Sequence, residues 1–209
     1  MEHFWINKSI FKSLIAFSYL QASNHVKNHT VHRANHVKLT NHLNLNRMNN
    51  KWDFLTGTYW YVPEQYLPAT QMGGNDTEPI MSIDQTVWQI TGASNGYFWG
   101  NCAALFYPEG ETPGEPSGKR MIGSVTPDGK VQISFMLINE SGIAMSVSGW
   151  GKMVKLNDAW TFEMQMASGT TDIYSHWAFM YSTSPEEPSW NKLPGVDYSV
   201  PEFLEAAGF

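Results

Sequence analysis

The sequence predicts an all-β protein, an antiparallel up-and-down barrel of about eight strands with a disordered N-terminal extension. Three observations lead there. From Trp52 onward, apolar and aromatic residues come in runs of strand length. Turn pairs suited to tight hairpins separate several of these runs, among them Asn95-Gly96, Asp128-Gly129 and Asn157-Asp158. The runs follow one another too closely to leave room for crossover helices, so neighbours in sequence become neighbours in the sheet.

Charge divides the chain. Residues 1–47 hold six of the thirteen basic residues and one of the nineteen acidic ones; residues 48–209 hold seven and eighteen, a balance of −11. A boundary near Met48 follows, with a basic His/Asn-rich extension before it and the barrel domain after it. Within the extension, Lys8 and Lys12 precede a short apolar run, Ser13 to Ala22. The run reads as a secretory-signal core or as plain extension, because Leu20 is larger than the cleavage-site preference before a cut at Ala22. The compartment, cytoplasmic or secreted, therefore stays open, and Met48 is an alternative start. His25, His29, His32 and His36 would share one face of a helix, at a metal-ligand spacing. No carboxylate joins them and Asn is a poor helix former, so the expectation is a disordered polar tract and no metal.

Partners are bounded by the same numbers. An acidic domain without clustered Lys and Arg is a poor match for a phosphate backbone, which argues against nucleic acid. No apolar run is long enough for a membrane-spanning helix. Cys102 is the single cysteine, so no disulfide forms within the chain, and it is expected to fill core space. There is no phosphate loop, zinc-type Cys pair, nucleophile elbow or dinucleotide fingerprint, and no cofactor is expected.

The domain opens with Trp52 to Val62, an entry segment and a strand ended by Pro63. Residues 64–79 form a long loop, of the kind that lids a cavity mouth. Ser82 to Thr91 is the second strand. Asn95-Gly96 turns the chain into Tyr97 to Tyr107, where neither alternate face is solvent-like, as expected of a strand covered outside by a flanking segment or a partner subunit. After a Pro/Gly/Glu loop at 108–118, Asp128-Gly129 joins Met121–Thr126 to Val131–Leu137, with Ile122 expected opposite Phe135. A turn at Asn139–Gly142 leads into the last three strands. Pro201-Glu202 opens a short helix at Val200–Ala207, with Phe203 and Leu204 anchoring the tail on the barrel.

Trp150 to Tyr181 carries the most information. Asn157-Asp158 sets Leu156 opposite Ala159, and a loop at 168–171 is expected to set Ala167 opposite Asp172. This register gathers Met153, Phe162, Met164 and Trp177 on one face. Lys152, Glu163, His176 and Tyr174 then share the other, where Glu163 and His176 would form an acid/base pair, Tyr174 an assisting hydroxyl and Lys152 the charge that tunes them. The competing expectation is an ordinary solvent-facing polar surface.

Gly57-Thr58-Tyr59-Trp60-Tyr61, near the start of an eight-stranded domain, resembles the Gly-x-Trp opening of the lipocalin and calycin barrels, with one more residue before the Trp. The runs Asn95–Gly100 and Val200–Leu204 resemble those of uncharacterised microbial proteins of similar length. The calycin resemblance implies apolar-ligand binding in most members. In a few it implies lyase or cyclase chemistry, as in barrels similar to phenolic acid decarboxylases and allene oxide cyclases. Three functions compete. One is a binding barrel for a small apolar or aromatic molecule, held by Trp60, Trp99, Met153, Phe162, Met164 and Trp177. Another is a cofactor-free lyase, isomerase or cyclase using Glu163 and His176. The third is a homo-oligomeric interaction module built on the two-sided Tyr97 to Tyr107 strand.

Overall fold

The computed structural model describes residues 50–63, 69–137, 146–169 and 172–209. The N-terminal extension, part of the 64–79 loop and the Asn139–Gly142 turn lie outside them. The described residues form a closed antiparallel barrel with nine strands in chain order: β1 (Thr58–Tyr61), β2 (Ala69–Gly73), β3 (Ile80–Ser94), β4 (Tyr97–Pro108), β5 (Ser117–Val125), β6 (Lys130–Leu137), β7 (Ser146–Leu156), β8 (Ala159–Gly169) and β9 (Asp172–Thr183). Strands β3 to β9 pair consecutively except for the step from β9 back to β3, which β1 and β2 fill together. β1 pairs with Val87–Ile90 of β3 and Tyr181–Thr183 of β9, while β2 pairs with Ile80–Ser82 and Asp172–His176. These two short strands are therefore halves of one stave, and the barrel has eight.

Turn chemistry sets most registers. Asn157 and Asp158 both take positive φ, as a two-residue type I′ turn requires, and Leu156 lies opposite Ala159. Asn95-Gly96 makes a turn of the same length between Ser94 and Tyr97. Two registers differ from expectation. Pro127, Asp128 and Gly129 form a three-residue loop, with Gly129 at φ 89 and Thr126 N–H donating to Lys130 O at 2.9 Å. The pairing moves by one residue, so Met121 rather than Ile122 faces Phe135, and Ile122 points outward.

The second correction decides the site. β8 continues to Gly169, which pairs with Ile173, so Ala167 lies opposite Ser175 rather than Asp172. A shift of three residues is odd and exchanges the faces of β9. Met180 and His176 join the inner face, while Trp177 and Phe179 move to the outer wall. Alternate residues of β9 are bulky on both faces, so its hydrophobic pattern does not select between the two registers.

One end of the barrel is stoppered. A 3₁₀ turn, Asn50–Leu55, places Trp52 and Leu55 in the core. The Trp52 indole N–H donates to Thr126 O at 3.0 Å and its ring meets Trp160 edge-on at 4.9 Å. Above this plug the lumen is packed with Trp60, Phe98, Phe162, Met153, Met164 and Ile90.

A second apolar cluster lies outside the wall. Val87, Ala103 and Leu105 are covered by Leu193, Val196, Val200, Phe203 and Leu204 of the C-terminal segment. That segment contains two short helices, α1 (Pro188–Asn191) and α2 (Val200–Ala206). α2 opens on a capping box in which Ser199 and Glu202 satisfy each other's backbone N–H groups. The chain's own tail thus covers the Ala103 to Tyr107 part of this strand's outer face, while Tyr97 and Trp99 on the same face stay exposed. Among the described residues no helix is long and apolar enough to cross a membrane.

Candidate functional site

The end of the barrel opposite the plug holds a cavity of about 220 Å³. Its apolar lining comes from Trp88, Cys102, Phe135, Met166 and Met180, and its polar lining from Asp84, Thr86, His176, Tyr174 and Lys119. Alternation along β3 explains the first group of contributors: 84, 86 and 88 fall on the inner face with Ile90. On β7, Gly149 has no side chain where a Cβ would stand 2.2 Å from Met166 Sδ, so the Met166 side chain has room to lie across the lumen.

The split stave brings Asp84 and His176 together. β1 ends its pairing with β3 at Val87 and β2 at Ser82, so residues 83–86 have no strand partner on that side among the described residues. Outside the gap, the Gln85 side-chain amide exchanges hydrogen bonds with the backbone of Val62, replacing the missing ladder. Inside it, Asp84 Oδ2 lies 3.5 Å from His176 Nδ1. Asp84 is buried, and Thr86 Oγ1 donates to its other oxygen at 2.9 Å. Phe106 braces the opposite side, edge-on to Tyr174 at 5.0 Å and 6.2 Å from the His176 ring.

Two buried polar atoms on this cavity, Asp84 Oδ2 and His176 Nδ1, face each other at 3.5 Å without a hydrogen bond of normal length among the described residues, and the Trp88 indole N–H has only the Cys102 sulfur beside it. Burial of unsatisfied groups costs about 1–3 kcal/mol each, and the polar atoms of natural cores are almost all paired. A buried pair held this far apart leaves hydrogen-bonding capacity for a polar group that enters the cavity.

Two titrations are shifted. Burial, with the Asp172 carboxylate second, raises the Tyr174 phenol above its ordinary value, so it stays protonated at neutral pH. Burial pushes the Cys102 thiol from 9.0 up to about 12. Below pH 9 the thiol is protonated in both folded and unfolded chains and stability does not depend on it. Between 9 and 12 only the unfolded chain ionises, so the folded state loses up to about 1.4 kcal/mol per pH unit from this group. Alkaline urea titrations of the wild type and Cys102→Ala are expected to show the shallower pH dependence in the variant. Iodoacetamide is expected to label Cys102 at pH 8 only after unfolding; rapid labelling of the folded protein would contradict its burial.

The structure separates the sequence-predicted residues. His176 and Tyr174 line the cavity, whereas Lys152 and Glu163 form an exposed ion pair on the outer wall, at 3.2 Å. Glu163 lies opposite Phe179 and His176 opposite Met166, so the expected Glu163–His176 pair does not form, because of the register of β9. Trp60, Met153, Phe162 and Met164 face inward but are packed solid toward the plugged end. Trp99 and Trp177 are exposed on the outer wall, Trp99 lying over Gly92. Asp84, Thr86, Trp88 and Lys119 were not among the candidates. Asp84 carried a legible signal: a carboxylate two and four residues from Thr86 and Trp88 shares their face of a strand. Among the described residues no three His, Cys, Asp or Glu side chains converge to hold a metal. Comparison of the chain with models of protein families, with curated proteins and with solved structures finds no match.

Proposed function

We propose that the protein is a calycin-type binding barrel for one small molecule with an apolar or aromatic body and a polar group that both donates and accepts hydrogen bonds. The observation that supports this is a cavity with an apolar floor on which the buried Asp84–His176 pair, 3.5 Å apart, and the Trp88 N–H converge. Trp88, Phe135, Met166 and Met180 supply the apolar surface, the Met side chains adapting to its shape. His176, with Asp84 behind it, would accept from the ligand and the Trp88 N–H would donate to it. At about 220 Å³ the space is below the ~300–1,000 Å³ of sites for drug-sized ligands, which restricts the occupant to roughly a one- or two-ring compound.

4-Cresol, whose hydroxyl both donates and accepts, tests the reading beside the donor-only indole and the acceptor-only 2-indanone, with tryptophan emission and melting temperature as readouts. At least one is expected to give saturable quenching and a higher melting temperature. Ala104 lines the cavity, and Ala104→Trp is expected to abolish both effects by filling it. If none of the three gives a saturable change, or if Ala104→Trp binds as the wild type does, the ligand is not seated here.

A further inference from the structure

We propose that Asp84 and His176 make this cavity a proton-transfer centre, in which His176 Nε2 removes a proton from the carbon beside the carbonyl of a small enolisable ketone. The inference rests on the binding reading above and adds a reaction to it.

The arrangement is that of an imidazole oriented by a buried carboxylate. Thr86 fixes one oxygen of Asp84 at 2.9 Å and the other faces His176 Nδ1 at 3.5 Å. A carboxylate on Nδ1 favours the tautomer that carries its proton there, which leaves the Nε2 lone pair for a substrate. The separation is longer than a hydrogen bond, as is common before a ligand settles into a catalytic site. Asp84 is thus a positioning residue and His176 the catalytic base.

The remaining lining suits the intermediate. When the C–H bond breaks, its electron pair forms a carbon–carbon double bond and the carbonyl π pair moves onto oxygen, giving an enolate and an imidazolium. The Trp88 N–H, which has only the weakly accepting Cys102 sulfur beside it, and the protonated Tyr174 hydroxyl are donors placed on the same cavity for that oxygen. The Lys119 ammonium on the rim adds positive charge. If the imidazolium trades its proton with solvent before the carbon is reprotonated, the outcome is isotope exchange; delivery of the proton to the far carbon of a conjugated alkene gives isomerisation. Neither needs an oxidant, a reductant or a second substrate. The Cys102 thiol, held protonated by burial, offers no competing nucleophile.

The test follows exchange of the α-protons of 2-indanone and 2-tetralone in D₂O by proton NMR, beside their binding by tryptophan quenching. The wild type is expected to exchange at least one ketone well above the buffer rate. His176→Gln should lower the rate about 100-fold or more. Asp84→Asn should lower the rate at saturation at least about tenfold with little change in KM and with the melting temperature retained, a split that a merely structural carboxylate would not produce. Glu163→Gln, on the outer wall, should leave the rate unchanged. Ketones that bind without faster exchange, or a His176→Gln protein that is folded and exchanges as fast as the wild type, overturn the proton-transfer centre and leave the binding reading standing. Ketones that fail to bind where indole or cresol does overturn the substrate class. Failure of every probe to bind removes the binding reading and this one with it.

Discussion

Phe162→Ala is expected to destabilise the barrel by about 3–5 kcal/mol, the range for truncating a fully buried aromatic. The ring is 0 % exposed and lies at the centre of the lumen. Trp60 meets it edge-on at 4.7 Å and Trp88 edge-on at 5.3 Å, with Phe98 tilted against it at 5.9 Å, so alanine removes three ring contacts along with the buried area. None of the three neighbours can collapse into the space without leaving another contact. Equilibrium urea unfolding measures the loss, and a melting temperature about 6–20 °C lower should accompany it. The residue next to it supplies the contrast. Glu163→Ala removes only an exposed ion pair with Lys152 and should cost less than about 1 kcal/mol. Equal effects at 162 and 163 would mean that β8 is rotated and that its inner and outer faces have been exchanged.

That pair of neighbours also marks how far the fold is legible in sequence. The β7–β8 hairpin is determined locally. A two-residue turn fixes the pairing, and Met153 opposite Phe162 follows without any knowledge of the rest of the barrel. β9 is different. Trp177 and Phe179 on one face and Tyr174, His176 and Met180 on the other are both bulky, so hydrophobicity allows either orientation. The choice falls to contacts distant in sequence: Met180 opposite Phe162, and Asp172 to His176 along β2. Pro127 has a similar effect on the smaller scale of one loop. Counting it into the Asp128-Gly129 turn shifts a register by one residue and sends Ile122 to solvent.

The site inherits this difficulty. His176 and Tyr174 stand out in sequence as chemically capable residues, but their partner depends on the face they occupy. Glu163 is five positions from Asp158 and close to His176 by any short loop, whereas Asp84 lies on a strand far away in the chain. The two meet where one stave of the barrel is divided between β1 and β2, so that among the described residues no strand lies between this part of β3 and β9. No pattern within β3 announces that gap. What the strand does announce is a carboxylate in phase with Thr86, Trp88 and Ile90, which is costly on an inner face unless something satisfies it.

Phe203→Ala is expected to have the other large effect, again about 3–5 kcal/mol, although Phe203 lies outside the barrel. Its ring is fully buried between α2 and the outer wall, beside Tyr198 at 5.5 Å, in the cluster that covers Val87, Ala103 and Leu105. Those three wall residues are buried only because the tail lies on them. Losing the ring loosens the tail as a unit, since α2 is a helix of seven residues, too short to persist without its packing. An uncovered apolar stripe on β3 and β4 would then be offered to other molecules. The expected outcome is therefore twofold: a lower urea midpoint, and concentration-dependent self-association on size-exclusion chromatography that the wild type does not show under the same conditions. A variant that keeps the wild-type midpoint would show that the tail is not needed to cover the wall. A variant that is destabilised yet elutes as the wild type does would show that Val87, Ala103 and Leu105 stay covered when the ring is gone.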